Sequence, residues 1–213
     1  MSIVDLTGKM PGVIDQGSRP TCLACSASDA HQILYAEIPS LSIESLFHGC
    51  AANDREALVE GTTFERLTTV LANQGQPETS VWPYLSEQPH HSEWQPPETD
   101  REFFFGKTTL IKPTFTTIQQ ELEKGRPVII SIRVRDSLLS CMPDTILLSD
   151  CGGVVRGQHA VLVVGLNMGG SDTLCIRNSW GSDWGDNGHT NIGRDYLEAN
   201  VCVAAIISEM EKY

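Results

Sequence analysis

The sequence lacks any long hydrophobic run and any cluster of basic residues. Its 213 residues include 27 Asp and Glu against 15 Lys and Arg, which gives a net charge of −12 at pH 7. A nucleic-acid-binding surface needs grouped Lys and Arg to neutralise phosphates, and a membrane-spanning helix needs about 20 consecutive apolar residues. The composition therefore predicts a globular protein with no nucleic-acid partner and no membrane segment.

A secretory signal is also missing from the sequence. The first residues, Met1 to Gly8, have neither a basic start nor an apolar stretch. The cysteines number seven, so at least one thiol is unpaired within the chain. Thiols stay reduced in intracellular compartments. We therefore expect a cytoplasmic protein, with a secreted effector as the alternative.

Helical patterns fill the first half of the chain and strand patterns fill the second half. Helices are predicted at 22–37, at 43–50, from Thr62 or Thr63 to Gly75, and at 117–124. Strands are predicted at 127–134, 160–165, 173–177, 188–193 and 201–207. Residues 76–101 carry five prolines and are predicted to form a surface connection. Helices followed by strands indicate an α+β chain with segregated lobes, one helical to about residue 105 and one β-rich from about 106 to 213.

Three separate stretches of sequence contain the residues of a nucleophilic site. Cys22 lies near the N-terminus, and His159 and Asn178 follow far downstream, which is the order of a Cys-His-Asn acyl-transfer site. The imidazole would take the thiol proton, and the asparagine amide would hold the plane of the imidazole. Gln16 can direct a side-chain N–H toward the developing oxyanion, together with the backbone N–H of Cys22.

The thiol attacks only as its thiolate, so we expect the fold to lower the pKa of Cys22. Cys22 would lie at the beginning of a helix, where the macrodipole favours negative charge. An ion pair with His159 would act in the same direction. Trp180 and Trp184 would shield the bond between His159 and Asn178 from water.

These stretches resemble the papain-like cysteine peptidases, and the resemblance covers most of the chain. The matching blocks are Gln16 to Ser26, Leu41 to Leu46, Trp82-Pro83-Tyr84, His159-Ala160-Val161 and Asn178 to Gly188. The resemblance implies a single catalytic domain over 1–213. It would have a helical N-terminal lobe, an antiparallel β-barrel-like C-terminal lobe, and a cleft between them. It also implies no cofactor and no metal.

On the same resemblance, each matching residue receives a role. Cys22 is the nucleophile, His159 the acid and base, Asn178 the orienting residue and Gln16 the oxyanion donor. Substrate contacts are expected from Gly61, which would bond the substrate backbone, from Gly157 and Ala160 with Ile207 in an apolar pocket, and from Trp180. Cys151 and Cys202 lie near positions that the family bridges with a disulfide.

The sequence also departs from the family pattern. Arg19 replaces a disulfide cysteine, Leu23 replaces the tryptophan after the nucleophile, and Cys25 replaces a core phenylalanine. Gln158 stands where an aspartate often precedes the histidine. Cys22 lies close to Met1, so we expect a bacterial-type enzyme without an inhibitory prodomain.

The function predicted is hydrolysis of peptide bonds in a restricted peptide or protein substrate, controlled by an inhibitor or a dedicated partner protein. The same thiol could instead transfer the acyl group to an amine or deamidate glutamine. A catalytically inactive binding module is a further alternative. Cys22 and Cys25 also form a Cys-x-x-Cys pair, which elsewhere indicates redox or zinc chemistry. His48 and His90-His91 are expected to be solvated rather than to bind a metal ion.

Overall fold

The computed structural model describes residues 3–35, 40–52, 54, 56–90, 92–149 and 152–210. In the described residues four α-helices lie before residue 75, and seven strands with three further helices lie after residue 105, so the α+β prediction is confirmed. The helices are α1 (Cys22–Gln32), α2 (Ile43–Ala51), α3 (Ala57–Glu60), α4 (Phe64–Asn73), α5 (Phe115–Glu123), α6 (Asp136–Leu139) and α7 (Arg194–Asn200). The strands are β1 (Val4–Asp5), β2 (Gly106–Ile111), β3 (Val128–Val134), β4 (Ile146–Leu147), β5 (Gly157–Leu166), β6 (Thr173–Arg177), β7 (His189–Gly193) and β8 (Val201–Glu209).

Hydroxyl side chains begin α2 and α4 where the sequence predicts them. The Ser42 hydroxyl accepts a hydrogen bond from the backbone N–H of Ser45 at the start of α2, and Thr63 does the same for Arg66 at the start of α4. Gly75 follows α4 with a φ of 72°, a left-handed conformation that glycine adopts without steric cost. Local sequence therefore sets these helix boundaries.

Helix α1 is shorter than predicted. It ends at Gln32, and the backbone then makes tighter bonds from Leu34 to His31 and from Tyr35 to Gln32. These i to i−3 bonds are typical of a helix that closes in a 3₁₀ turn. The predicted end of the helix, Glu37, lies outside the described residues.

The strands of the described chain form one sheet in the order β2-β8-β3-β5-β6-β7-β4, with β1 added to β5. Most pairs are antiparallel, but β4 and β7 pair in parallel. The sheet is mixed and does not close into a barrel, so the barrel-like lobe expected from the resemblance is replaced by an open sheet. Residues 159–166 of β5 are buried, since this strand lies inside the sheet and α1 and α5 both pack against it.

The segment 76–101 is more buried than the surface connection that its prolines predict. Trp94 is buried, and its indole Nε1 donates a hydrogen bond to Glu44 in α2. His48 packs its ring against Trp82 and Trp94, so the prediction that His48 is solvated is wrong. His91 lies outside the described residues. Local composition could not reveal these contacts, because each of them joins the segment to α2.

None of the helices in the described ranges combines the length and the apolar character that crossing a membrane requires.

Candidate active site

Cys22 is the first residue of α1, and its half-buried side chain lines a cleft of about 270 Å³. His159 lines the same cleft, as the sequence predicts. The cleft is bounded by α1, by the chain around the start of α4, and by strands β3, β5 and β8. Its lining residues are Cys22, Leu23, Glu60, Gly61, Thr62, Thr63, Phe64, Ser131, Gln158, His159, Ala160 and Val203.

His159 is held in place from two sides. Its Nε2–H donates to Oδ1 of Asn178 over 2.7 Å. The indole of Trp180 stacks on the imidazole with ring centroids 4.5 Å apart. Trp184 meets Trp180 edge-on and donates its own N–H to the carbonyl of Leu138. Trp180 therefore covers the imidazole, and Trp184 packs behind Trp180.

The packing of α1 on β5 places the thiol and the imidazole in one cleft. The backbone N–H of Ala160, the neighbour of His159 in β5, forms a hydrogen bond with the sulfur of Cys22. The His159 ring uses Nε2 for Asn178, which leaves Nδ1 as the nitrogen available to the thiol. Cys22 and His159 therefore line one cleft, with Nδ1 of the imidazole not engaged by Asn178.

Burial changes the pKa of both groups. It raises the pKa of the Cys22 thiol, while hydrogen bonds from the backbone of Ala160, Leu23 and Cys22 act in the opposite direction. Burial also lowers the pKa of His159 to about 4, against the effect of its bond to Asn178. Burial therefore opposes the lowering of the Cys22 pKa that the sequence predicts from the helix N-terminus and from an ion pair with His159. The desolvated site disfavours each single charge, so the thiolate gains stability only as half of an ion pair.

Gln16 lies beside the nucleophile turn with both ends of its amide engaged. Its Oε1 accepts from the hydroxyl of Ser179 over 2.6 Å, and its Nε2 donates to the carbonyl of Arg19 over 2.8 Å. An amide nitrogen has two protons, so one N–H remains for a ligand. Cys22, at the first position of α1, supplies a backbone N–H of the kind that helix geometry leaves without an intrahelical acceptor.

The predicted substrate-contact residues fall into two groups. Gly61 and Ala160 line the cleft, and Gly61 has a φ of 92° at a point where a Cβ would lie 3.0 Å from the carbonyl oxygen of Pro20. Gly157 is exposed at the beginning of β5 and Trp180 lies against His159, both outside the lining. Ile207 is buried next to Gly106, so its expected place in the pocket is wrong.

Other lining residues were missed at the sequence level. Val203 lies on β8, the strand of Ile207, and it lines the cleft together with Ser131 of β3 and Phe64 of α4. Strand alternation could have indicated Val203. Residues two apart in a strand share a face of the sheet, so Val203 lies on the same face as Ile207. The contribution of Ser131 depends on the pairing of β3 with β5, and the sequence has no local signal for that pairing.

A buried ion pair joins the helix of Cys22 to the strand that precedes Asn178. Arg177 donates through Nε to Asp29 of α1 over 2.6 Å, and through a terminal nitrogen to the carbonyls of Pro11 and Gly12. Burial raises the pKa of Asp29, against the Arg177 charge, which lowers it. This pair also was not predicted, because 148 residues separate its partners.

The described cysteines outside the cleft are free thiols. Cys25, Cys50, Cys141 and Cys175 are buried. Cys202 is free in the structure, and Cys151, its expected disulfide partner, lies outside the described residues. In the described ranges, no three His, Cys, Asp or Glu side chains are grouped closely enough to hold a metal ion.

Comparison with known proteins gives consistent matches. A sequence model for papain family cysteine proteases matches residues 4–209. A probable cysteine protease of Arabidopsis thaliana, RD21C, is 25% identical over 91% of this chain and 43% of its own length. The cathepsin B-like cysteine proteinase 2 of Haemonchus contortus is 33% identical over 50% of this chain and 32% of its own length. This chain thus spans less than half the length of these two relatives.

Solved structures show the same fold. Xylellain, a cysteine protease from Xylella fastidiosa, superimposes with a TM-score of 0.82 at 20% identity, covering 98% of this chain and 86% of that one. The Carica candamarcensis cysteine protease CMS1MS2, solved in complex with E-64, gives a TM-score of 0.75 at 21% identity and covers 98% and 99% of the two chains.

Proposed function

Because the chain belongs to the papain family of cysteine proteases, we propose that it hydrolyses peptide bonds through a covalent thioester on Cys22. The observation that carries the proposal is the shared cleft of Cys22 and His159, with His159 held by Asn178. A thiol with a positioned base and an orienting third group is the arrangement required for nucleophilic acyl transfer.

Acylation begins with transfer of the Cys22 proton to Nδ1 of His159. The sulfur then attacks the carbonyl carbon of the scissile bond, and the carbonyl electrons move to the oxygen. The free N–H of Gln16 and the backbone N–H of Cys22 donate hydrogen bonds to that oxyanion. When the intermediate collapses, the C–N bond breaks and the imidazolium protonates the leaving amine.

Deacylation uses the same groups in reverse order. His159 takes a proton from water, and the resulting hydroxide attacks the thioester carbonyl. The C–S bond breaks, the acid product leaves, and the sulfur regains its proton from His159. Asn178 keeps the imidazole in one plane through both half-reactions, and it adds no negative charge that would hold the proton on the ring.

The cleft favours an apolar substrate side chain with neutral or basic neighbours. Its wall includes apolar Leu23, Phe64 and Val203, with Ser131 and Gln158 as neutral polar groups. Glu60 is the one acidic residue in the lining, and the chain has a net charge of −12. Such a field disfavours acidic substrates.

A peptide library with mass-spectrometric detection tests the proposed reaction. We expect fragment pairs whose masses add up to the substrate plus water, with an apolar residue one position before the cleaved bond or next to it. The Cys22→Ala variant should produce none. Products joined to added amines, or glutamine converted to glutamate without cleavage, would instead show a transferase or a deamidase. An intact library with unmodified Cys22 would indicate a binding module.

We further propose that the substrate is restricted and that the protein acts in the cytoplasm. The six described cysteines are free thiols, which suits a reducing compartment, and a broadly active protease there would require control. An inhibitor or a dedicated partner protein would provide it. The purified chain should cleave generic dipeptide reporters poorly but bind E-64, the compound with which CMS1MS2 was solved in complex, in the cleft. Rapid digestion of casein would contradict the restriction.

A further inference from the structure

Arg19 is the centre of a buried polar cluster next to the nucleophile turn. The guanidinium makes a two-pronged contact with the carboxylate of Glu44, over 2.7 and 2.9 Å, and both side chains are fully shielded from solvent. The remaining donors of Arg19 bond the carbonyl of Leu85 and the side-chain oxygen of Gln88. All five N–H groups of the guanidinium therefore have acceptors.

The carboxylate of Glu44 is equally saturated. One oxygen accepts from Arg19 and from the indole N–H of Trp94. The other accepts from Arg19 and from the backbone N–H of Leu85. The rings of Phe47, Tyr84 and Trp94 lie 5.2 to 5.8 Å from the guanidinium carbon. The cluster thus ties the turn before Cys22 to α2 and to the segment around Leu85–Trp94.

This cluster reaches the proposed oxyanion donor through the backbone of Arg19. The Arg19 carbonyl accepts from Nε2 of Gln16 over 2.8 Å and from the backbone N–H of Thr21 over 2.9 Å. The position of that carbonyl therefore sets which way the amide of Gln16 faces. The side chain of the same residue is fixed by Glu44, so the backbone of the turn cannot shift without breaking buried charged hydrogen bonds.

We propose that Glu44 and Arg19 are positioning residues for the oxyanion site, acting through the Arg19 carbonyl on the amide of Gln16. The inference rests on the proposed function, since it assumes that Cys22 forms tetrahedral adducts. It assigns a role to the charged pair at the position where the family pattern has a disulfide cysteine and this chain has Arg19. A fork of two charge-assisted bonds fixes both distance and orientation, which suits a group that must hold an oxyanion donor in one direction.

The test separates oxyanion stabilisation from thiol reactivity. A peptide aldehyde adds to Cys22 to form a hemithioacetal whose oxygen lies in the oxyanion site, and its inhibition constant needs no turnover. Alkylation of Cys22 by iodoacetamide forms no oxyanion. Gln16→Ala should weaken aldehyde binding by ~10²–10³-fold, and Glu44→Gln by about tenfold as a partial loss of the same donor. Both variants should keep the alkylation rate within about twofold of the wild type, because the Cys22–His159 pair is untouched.

A double-mutant cycle decides between positioning and a general structural effect. In the Gln16→Ala background, Glu44→Gln should have no further effect on aldehyde binding, because the donor that it positions is gone. If Glu44→Gln does not fold, Trp94→Phe is the second variant. It keeps an aromatic ring but removes one hydrogen bond to Glu44, and it should show a smaller loss of aldehyde binding. Glu121→Gln, in an ion-paired glutamate of α5 that is bound by Lys124 and Arg126, is the matched control and should leave both measurements unchanged.

Equal losses from Glu44→Gln with and without Gln16 would overturn the proposal, as would a parallel fall in aldehyde binding and alkylation. Failure of the wild-type chain to bind the aldehyde, despite rapid alkylation, would overturn it as well. If the wild type binds the aldehyde but releases no hydrolysed peptide, the hydrolase proposal fails while the positioning role is still measured.

Discussion

His159 and Cys22 illustrate how burial changes the chemistry of single residues. Desolvation lowers the pKa of His159 to about 4, against the opposing effect of its bond to Asn178, and raises that of Cys22. Each shift disfavours an isolated charge, whereas a proton moved between the two creates no net charge. The two groups therefore titrate as a pair.

The pH dependence of kcat/KM follows from these two directions. As the pH falls through about 4, His159 gains a proton while Cys22 keeps its own, so no base remains and activity is lost. At high pH, Cys22 loses its proton to solvent and no acid remains for the leaving amine. Because burial raises this pKa, the loss comes above the ordinary value of 9.0. We expect a broad plateau between these limits, measured with a peptide substrate found in the library.

Removal of the orienting residue provides the control for this profile. Asn178→Ala frees Nε2 of His159 and should lower kcat at every pH while retaining part of the activity, because Trp180 still stacks on the ring. A plateau confined to a narrow range around pH 6 would contradict the assignment of both limits.

The other thiols should react differently from Cys22. Burial raises the pKa of Cys175 to about 12 and also raises that of Cys25, which is 1% exposed. We expect iodoacetamide to label Cys22 first, because the thiolate is the reacting species and a buried thiol is not accessible. Peptide mapping after a short exposure measures this. Cys25→Ala should keep the labelling rate of Cys22, and first labelling of Cys175 would refute the prediction.

At the scale of elements, the site depends on how α1 is held against β5 and β6. The thiol is on the helix, the imidazole on β5 and the asparagine after β6. Helix α1 packs against β5, and the Arg177–Asp29 pair connects the helix to the end of β6. This ion pair is the charged link between the element of Cys22 and the residue that precedes Asn178.

Arg177→Met should destabilise the fold strongly. The substitution leaves the carboxylate of Asp29 buried without its partner, which costs about 3–5 kcal/mol in the free energy of unfolding. Urea denaturation followed by tryptophan fluorescence measures the change. Arg156→Met removes an ion pair to Asp136 whose partners are both exposed, and it should change the stability little. Equal effects of the two variants would show that burial of the pair is not what matters.

At the scale of the whole molecule, buried histidines link stability to pH. Burial lowers the pKa of His31, His159 and His189 below the ordinary value of 6.5. A histidine with a lowered folded-state pKa contributes stability that is complete above pH 6.5 and is lost as the pH falls through the folded value. These groups should therefore destabilise the protein on acidification.

We expect the urea midpoint to decrease between pH 7 and pH 4.5. His31→Gln should reduce that decrease, because one of the three titrations is removed. Thr63→Ala removes the N-cap of α4 and should lower the free energy of unfolding by about 1 kcal/mol at both pH values. It therefore serves as a control whose effect does not depend on pH. A midpoint that stays constant or rises on acidification would contradict the prediction.

Local sequence signals determined several helices and strands of this protein and the positions of two catalytic residues in the chain. Hydroxyl caps and glycine stops fixed α2 and α4, and β-branched runs fixed β3 and β6, because these signals act within a few residues. The family blocks placed Cys22 and His159 in the chain, and the structure lines one cleft with them. The order of helices before strands predicted the α+β class.

Only the tertiary structure decided the contacts between distant segments. The sequence has no local signal for the open sheet, for Val203 in place of Ile207 in the cleft lining, or for the pairing of Arg19 with Glu44. Each of these depends on which strands and helices become neighbours, and pairing over long separations has no local pattern. The pKa values of Cys22 and His159 were also decided only by the tertiary structure. They follow from how completely the packed lobes exclude water, a property of the assembled fold and of no single stretch of sequence.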